Sequence, residues 1–477
     1  MPLTYILHRL FAKLDSQPVL LFVSVVPITL IGALLRFYKL GAWSFWGDEM
    51  FTVSGHEDGF NYNLIRKSLS LALIQGVVDL RGLNEWNARL VPAAIGVITV
   101  VVFFFLARKL FDIPTALLAA SLLALSPWHL YWSQNARFYT ALLLFYSLCL
   151  FYFYLGVEED NPRYLLLCLI FLGLAVKERL LALFFLPVIL FYIFLLSSLH
   201  FDKPRGWNYR NVALFIMSGV LGSLFFIGPY LLNLGDWMSV SGFGFSNNSP
   251  FWLAGGFAYY VGLPVICIGG TGGIYLIMQK SRVGLFLFLN AVVPPFILFV
   301  ISPFHYTANR YIFISLTSWL LLAAVTVVMI IKNLNWPVKL SALGVLFILL
   351  AHPISEDALY FLKQNGNRDN WSAAFAYVQS HAKPGDMVVS GNLQLADYYM
   401  SLPSISIDQI HVNEFETIDN RIWFVEDMTS AQKYPEIDSW FTQNARLVSL
   451  YDVYFQARNF SMRVYLYDPL SKPMQES

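Results

Sequence analysis

"PVLLFVSVVPITLIGALLRFYKLGAWSFWGDEMFTV", Pro18 to Val53, opens on a long apolar run, turns through a cluster of aromatics and closes on two adjacent acids, Asp48 and Glu49. About 20 apolar residues in a helix cross the hydrocarbon core of a bilayer. The run at 18–38 has that length, and comparable windows recur at 90–107, 113–130, 138–156, 163–176, 180–199, 212–232, 251–278, 283–301, 311–331 and 337–351. Composition agrees: 57% of the 477 residues are hydrophobic and 13% charged, against roughly half and a quarter in a soluble domain. So much apolar surface cannot be buried in one soluble core. The sequence predicts an α-helical polytopic membrane protein with about eleven transmembrane helices.

Net charge is +1, which points to neither nucleic acid nor an acidic partner. Cys149, Cys168 and Cys267 all fall inside apolar runs, with no disulfide or zinc spacing. Arg9 and Lys13 precede the first run and no small-residue cleavage site follows it, so a retained first span is expected rather than a removed signal peptide.

Basic residues set the direction of the spans. With the N-terminus cytoplasmic, the inner side receives Arg9, Lys13, Arg108, Lys109, Arg163, Lys203, Arg205, Arg210, Lys280, Arg282, Lys332 and Lys339. The short outer loops receive only Arg137, Lys177, Arg179 and Arg310. This is the positive-inside pattern, and it places loop 41–89 and tail 352–477 outside the cytoplasm. Residues 1–351 are therefore expected to form the membrane domain. Within loop 41–89, "YNLIRKSLSLALIQGVVDLRGL" has helical apolar spacing but too much charge to span, which suits an interfacial helix.

From His352 onward charge rises and apolar runs shrink to strand length. "NRDNWSAAFAYVQSHAKPGDMVVSG" reads as a helix, a Pro-Gly turn and a buried strand; "RIWFVED", "ARLVSLY" and "SMRVYLYD" read as further strands. Residues 352–477 are expected to form a small extracytoplasmic α/β domain. It carries no phosphate loop or nucleophile motif, so a lid or docking role is the plain expectation.

Unusual polar residues gather at the outer ends of the spans. "SPWHLYWSQNARFYTA" supplies His129, Gln134, Asn135, Arg137 and Tyr139; "VKERL" supplies Lys177, Glu178 and Arg179; "SPFHYTANRYI" supplies His305, Asn309, Arg310 and Tyr311. Each has a bland reading. Asp48 and Glu49 suit the N-terminus of a helix, the aromatics an interfacial belt, the arginines snorkelling to headgroups, and the charges of "KER" solvation or a Lys177–Glu178 pair. His56 to Asp58, "HEDG", offers metal-ligand atoms, but three consecutive residues rarely converge on one ion, and no metal is expected. Together the sites carry more weight, because charges held near lipid are costly unless paired or used.

Neighbouring helix residues point about 100° apart, so Asp48 and Glu49 are not a facing carboxylate pair like that of glycosidases. One acid does chemistry while the other orients it or contacts a cation. A single carboxylate with several cations suits displacement at a carbon bearing a phosphate. The phosphate leaves without a general acid, arginine forks hold its charge, and the carboxylate takes the proton of the attacking hydroxyl.

The first span ending in an aromatic turn and "DE", followed by "SPWHLYWSQNARFYTALL", "ANRYIFISLTSWLLLA" and "DNWSAAFAYVQSHAKPGDMVVS", resembles the C-type glycosyltransferases of the protein-mannosyltransferase and aminoarabinose-transferase kind. The resemblance implies transfer of a sugar from a polyprenyl-phosphate donor to a lipid, glycan or protein acceptor on the outer face of a bacterial plasma membrane, with inversion. It places Asp48 as catalytic acid with Glu49 as partner, and Arg137 and Arg310 at the donor phosphate. Lys177, by charge and side alone, together with Tyr139, His305 and Tyr311, completes the candidate binding set. No firm cofactor is implied, and a divalent metal stays open without support from the residues. Two departures stand out. Asn135 occupies a position where the family commonly has Glu, which removes a second outer carboxylate. The first loop lacks the family's His-Pro-Pro-Leu-Tyr-like stretch, which implies altered specificity.

Two other readings stay open. A transporter or flippase of lipid-linked saccharide should show broken helices at mid-membrane, and Gly269-Gly270 and Gly272-Gly273 in "CIGGTGGIY" are the one candidate break, although helix packing accounts for them equally. A non-enzymatic scaffold predicts no role for Asp48.

Overall fold

The computed structural model describes residues 18–54, 68–226, 249–305, 307–333, 336–415, 417–455, 458–459 and 461–470. The described residues fall into two compact units. One lies within Met1–Tyr38, Asn63–Ile74 and Leu90–Asp357, the other within Lys39–Tyr62, Gln75–Arg89 and Ala358–Ser477.

The first half of the chain is helical: α1 (Pro18–Phe37), α2 (Gly47–Val53), α3 (Leu69–Arg81), α4 (Glu85–Leu110), α5 (Ile113–Ala124), α6 (Pro127–Ser133), α7 (Tyr139–Glu158), α8 (Pro162–Glu178), α9 (Phe185–Ser198) and α10 (Tyr209–Phe226). Then follow α11 (Pro250–Val261), α12 (Leu263–Met278), α13 (Arg282–Ile301), α14 (Leu316–Asn333) and α15 (Trp336–Leu362). A 3₁₀ stretch, Asn309–Ser315, leads into α14.

Among the described residues six spans are long and apolar enough to cross a membrane, or up to eight if each bent pair counts as one. The chain is an integral membrane protein. The expected eleven windows differ from this count for local reasons. Window 113–130 bends by 57° between α5 and α6, where Ser126 caps the second helix and Pro127 begins it. Window 251–278 bends by 92° between α11 and α12, at Gly262, whose φ of 91° suits glycine. Helix α8 has 17 residues, and 227–232 lie outside the described residues.

Within the helical unit, turn chemistry sets where helices begin. Asp112 caps α5 by accepting from the Thr115 amide at 2.9 Å, and Asn161 caps α8 with Pro162 at its first position. The glycines of "CIGGTGGIY" lie inside α12 and do not break it. A Cβ on Gly269 would lie 3.0 Å from the Trp319 carbonyl, and one on Gly273 would lie 2.4 Å from the Phe288 ring. Their smallness lets α12 approach α13 and α14 closely.

The other unit contains a five-stranded sheet flanked by helices. Its elements run α16 (Trp371–His381), β1 (Met387–Ser390), α17 (Leu393–Tyr399), β2 (Ser404–Ser406), α18 (Val412–Phe415) and β3 (Ile422–Glu426), then α19 (Met428–Lys433), α20 (Pro435–Asn444) and β4 (Arg446–Tyr451). A small hairpin, β5 (Tyr454–Phe455) with β6 (Arg458–Asn459), precedes β7 (Met462–Tyr467). Sheet order is β2-β1-β3-β7-β4, parallel through β3 and antiparallel beyond. The four segments read from sequence as strands are β1, β3, β4 and β7. Strand β3 is buried throughout, and Val389, Phe424, Phe415, Trp440, Phe441 and Tyr465 form a core beside it. Gly385, φ 91°, makes the turn into β1.

Candidate active site

The acidic turn belongs to the sheet-containing unit. Trp46 is extended and α2 starts at Gly47, so both acids sit in the first turn of the helix, at its positive end. Their environments then diverge, as a 100° step requires. Asp48 is half-buried, whereas Glu49 has no exposed surface. Glu49 is bidentate with Arg89: Nε donates to Oε1 at 2.8 Å and Nη2 to Oε2 at 2.7 Å. The remaining Arg89 N–H groups go to the carbonyls of Leu40 (3.1 Å), Trp43 (2.9 Å) and Ser44 (2.9 Å). All five guanidinium donors are used, and the cation also lies 5.3 Å from the Phe45 ring centre. Glu49 thus contacts a cation in a fully buried place, while Asp48 stays partly exposed.

Sequence reasoning missed Arg89. Its signal was present: a lone arginine immediately before the apolar window 90–107, at a depth where an unpaired cation is costly.

The helical unit carries the second cluster. The turn after α6 delivers Tyr139, which is 2% exposed, its ring centre 4.0 Å from that of Trp132 and 4.5 Å from that of Phe138. Arg310, Arg179 and Arg137 all act electrostatically on Tyr139. Arg137 and Arg179 lie over Phe138 at 5.2 and 5.5 Å, and Arg310 over Tyr311 at 5.8 Å. Arg137, Tyr139, Arg310 and Tyr311, expected from sequence, are therefore brought together, and Arg179 joins them. Next to Tyr139, the buried Trp132 Nε1 and Thr140 Oγ1 have no hydrogen-bond partner among the described residues. The indole N–H donates and the hydroxyl can donate, so both suit an anion.

The rest of the polar set is distributed differently. Gln134 donates from Nε2 to the carbonyls of Leu35, Arg36 and Tyr38 at 3.1, 3.2 and 2.8 Å, closing the end of α1. Asn135 is fully buried. Lys177 is half-buried and is not among the cations acting on Tyr139, and His305 is exposed just beyond α13. Glu178 is neither solvated nor paired with Lys177. It is 1% exposed, and its carboxylate accepts from the Ser68 hydroxyl (2.5 Å), the Ser70 hydroxyl (2.5 Å) and the Ser70 amide (3.0 Å). That anchors the start of α3, the described part of the helix expected at the interface. Among the described residues no three of His, Cys, Asp and Glu form a metal-sized group; His56 to Asp58 lie outside them.

Comparison with known proteins adds the following. Residues 69–222 match the sequence profile described as dolichyl-phosphate-mannose-protein mannosyltransferase. No curated protein sequence matches the chain. Among solved structures, ArnT from Cupriavidus metallidurans in the apo state is similar with a TM-score of 0.61 and 14% identity, over 93% of this chain and 97% of that one. The same protein bound to undecaprenyl phosphate gives 0.60 and 14%, over 94% and 99%. The archaeal oligosaccharyltransferase AglB from Archaeoglobus fulgidus, in complex with an inhibitory peptide and a dolichol-phosphate, gives 0.54 and 12%, over 95% and 75%. Residues 69–222 thus carry the sequence pattern of that mannosyltransferase family, and nearly the whole chain has the fold seen in ArnT and AglB.

Proposed function

We propose that the protein transfers a sugar from a polyprenyl-phosphate donor to an acceptor hydroxyl or similar nucleophile, with inversion at the sugar carbon. The observation that carries this reading is the convergence of Arg137, Arg179 and Arg310 on Tyr139, beside unpartnered buried donors. Such a setting suits a phosphate, because guanidinium forks match its oxygens. The similar proteins support the donor class: one is bound to undecaprenyl phosphate, another to a dolichol-phosphate.

In the reaction the acceptor oxygen forms a bond to the anomeric carbon while the bond from that carbon to the phosphate oxygen breaks. The electron pair leaves with the phosphate, whose charge the arginines hold. The acceptor proton passes to Asp48, and Glu49, fixed by Arg89, orients the short helix that carries it. Lys177, His305 and Tyr311 are further candidates for donor contacts. The charge pattern of the loops supports chemistry on the outer face of the membrane, with a cytoplasmic N-terminus and an extracytoplasmic C-terminal domain.

The test is consumption of a panel of polyprenyl-phosphate sugars by purified protein supplied with crude acceptor extract, wild type beside Asp48→Asn. Consumption of one donor by wild type alone establishes the transfer and names its sugar. Equal turnover by Asp48→Asn removes the base assignment, and no consumption by folded wild type removes the transfer itself.

A further inference from the structure

The acidic turn is held from two sides, and one of the holds comes from the C-terminal domain. On the carbonyl side, Arg89 takes the oxygens of Leu40, Trp43 and Ser44. On the amide side, the N–H of Phe45 donates to the Tyr399 hydroxyl oxygen at 2.6 Å, and that hydroxyl donates to Glu85 Oε1 at 2.6 Å. Tyr398 packs its ring edge-on against Phe45, centres 5.3 Å apart. Glu85 and Arg89 are four residues apart in the first turn of α4, hence on one face. A single helical turn therefore supplies both grips, one directly and one through a tyrosine 354 residues away from the amide it serves.

The neighbouring contacts are equally close. Ser44 Oγ accepts from the Ser372 amide at 3.1 Å. Gly366, φ 63°, lies so near Trp43 that a Cβ there would be 2.7 Å from the indole. Trp43, Ser44 and Phe45 are thus all gripped by the C-terminal domain immediately before Asp48. Burial, followed by the Glu85 charge, holds the Tyr399 hydroxyl well above the usual tyrosine range, so it remains a donor throughout the working pH range.

We propose that Tyr399 is a positioning residue for sugar transfer: through the Glu85–Tyr399–Phe45 chain the C-terminal domain fixes where Asp48 stands. The domain is on this view a brace for the base, not a lid or docking module. The inference rests on the role given to Asp48 above. A misplacement of about 1 Å in a reacting group costs up to about a hundredfold in rate, so loss of one anchor has a measurable effect without unfolding the domain.

The experiment compares wild type, Tyr399→Phe, Asp48→Asn and the double variant as full-length protein, with turnover and donor KM measured separately. Glu85→Leu serves as a second variant that breaks the chain without touching the domain core. The expected result is a tenfold to hundredfold fall in kcat for Tyr399→Phe and Glu85→Leu at unchanged donor KM. Adding Tyr399→Phe to Asp48→Asn should then lower the residual rate no further, since the group being positioned is gone. Wild-type turnover by Tyr399→Phe while Asp48→Asn keeps only its residual rate overturns the brace and leaves the base assignment standing. The same holds if the two losses multiply. Wild-type turnover by Asp48→Asn itself overturns the underlying reading instead.

Discussion

Glu49 and Arg89 form a two-pronged ion pair with no exposed surface on either side chain, N–O distances being 2.8 and 2.7 Å. Its neighbour in sequence, Asp48, remains half-buried in the same helical turn. Two adjacent carboxylates thus have opposite physical situations, and substitution should separate them. Removing one partner of a buried pair strands the other charge at a cost of about 3–5 kcal/mol. Glu49→Ala should therefore lower thermal stability sharply in detergent, whereas Asp48→Asn should cut transfer to a small residual rate with stability near wild type. Equal unfolding temperatures for the two variants would refute the division of roles.

Arg179 and Lys177 offer a second separation. Both are basic and two residues apart, but Arg179 lies over Phe138 and acts on Tyr139. Deleting a charge-assisted contact to phosphate costs roughly a factor of ten in affinity. Arg179→Ala should weaken binding of the polyprenyl-phosphate donor about tenfold, and by more than Lys177→Ala does. Binding measured by donor-lipid titration would show the order; the reverse order would move the donor phosphate away from Tyr139.

Much of this was legible in the sequence because it is local. Apolar runs mark the helices, short apolar runs bounded by turn residues mark β1, β3, β4 and β7, and the position of Arg137, Tyr139 and Arg310 near helix ends follows from where runs end. What stayed hidden is long-range. Arg89 serves a carboxylate 40 residues back, Glu178 binds a serine 108 residues earlier, and Tyr399 reaches Phe45 across 354. Spacing cannot reveal such partners. It could reveal only that a lone charge beside an apolar window needs one. The glycines of α12 were likewise ambiguous until their neighbours were known, since a break and a close packing face have the same composition.

The Glu178 site makes a stability prediction of its own. One carboxylate accepts from two hydroxyls and an amide at the start of α3. Each donor left unpaired in a buried place costs about 1–3 kcal/mol. Glu178→Ala should lower global stability and, in amide exchange on the full-length protein, expose the first turn of α3 ahead of the rest. Unchanged protection there would show that α3 is anchored by its apolar face instead.

A pH dependence follows from the end of β3. Glu426 is 1% exposed and faces Asp438 from α20, Asp427 at its own strand end, and Arg463 from β7, whose Nη1 lies 3.4 Å from Glu426 and 3.6 Å from Asp438. Burial, followed by the Asp438 charge, pushes the Glu426 carboxyl up to about 8. Unfolded, it would titrate at about 4.3. Because the folded value is the higher one, its stabilising contribution is complete below about pH 4.3 and is lost as pH rises through about 8. Amide exchange of β3 and β7 in the full-length protein, corrected for the intrinsic rate, should therefore show progressively easier opening from pH 5 to 9. Glu426→Gln cannot ionise and should flatten that slope, with the largest gain over wild type above pH 8. Parallel slopes in the two proteins would mean that Arg463 already neutralises the ionised carboxylate, and that the pair does not set the alkaline limit of the domain.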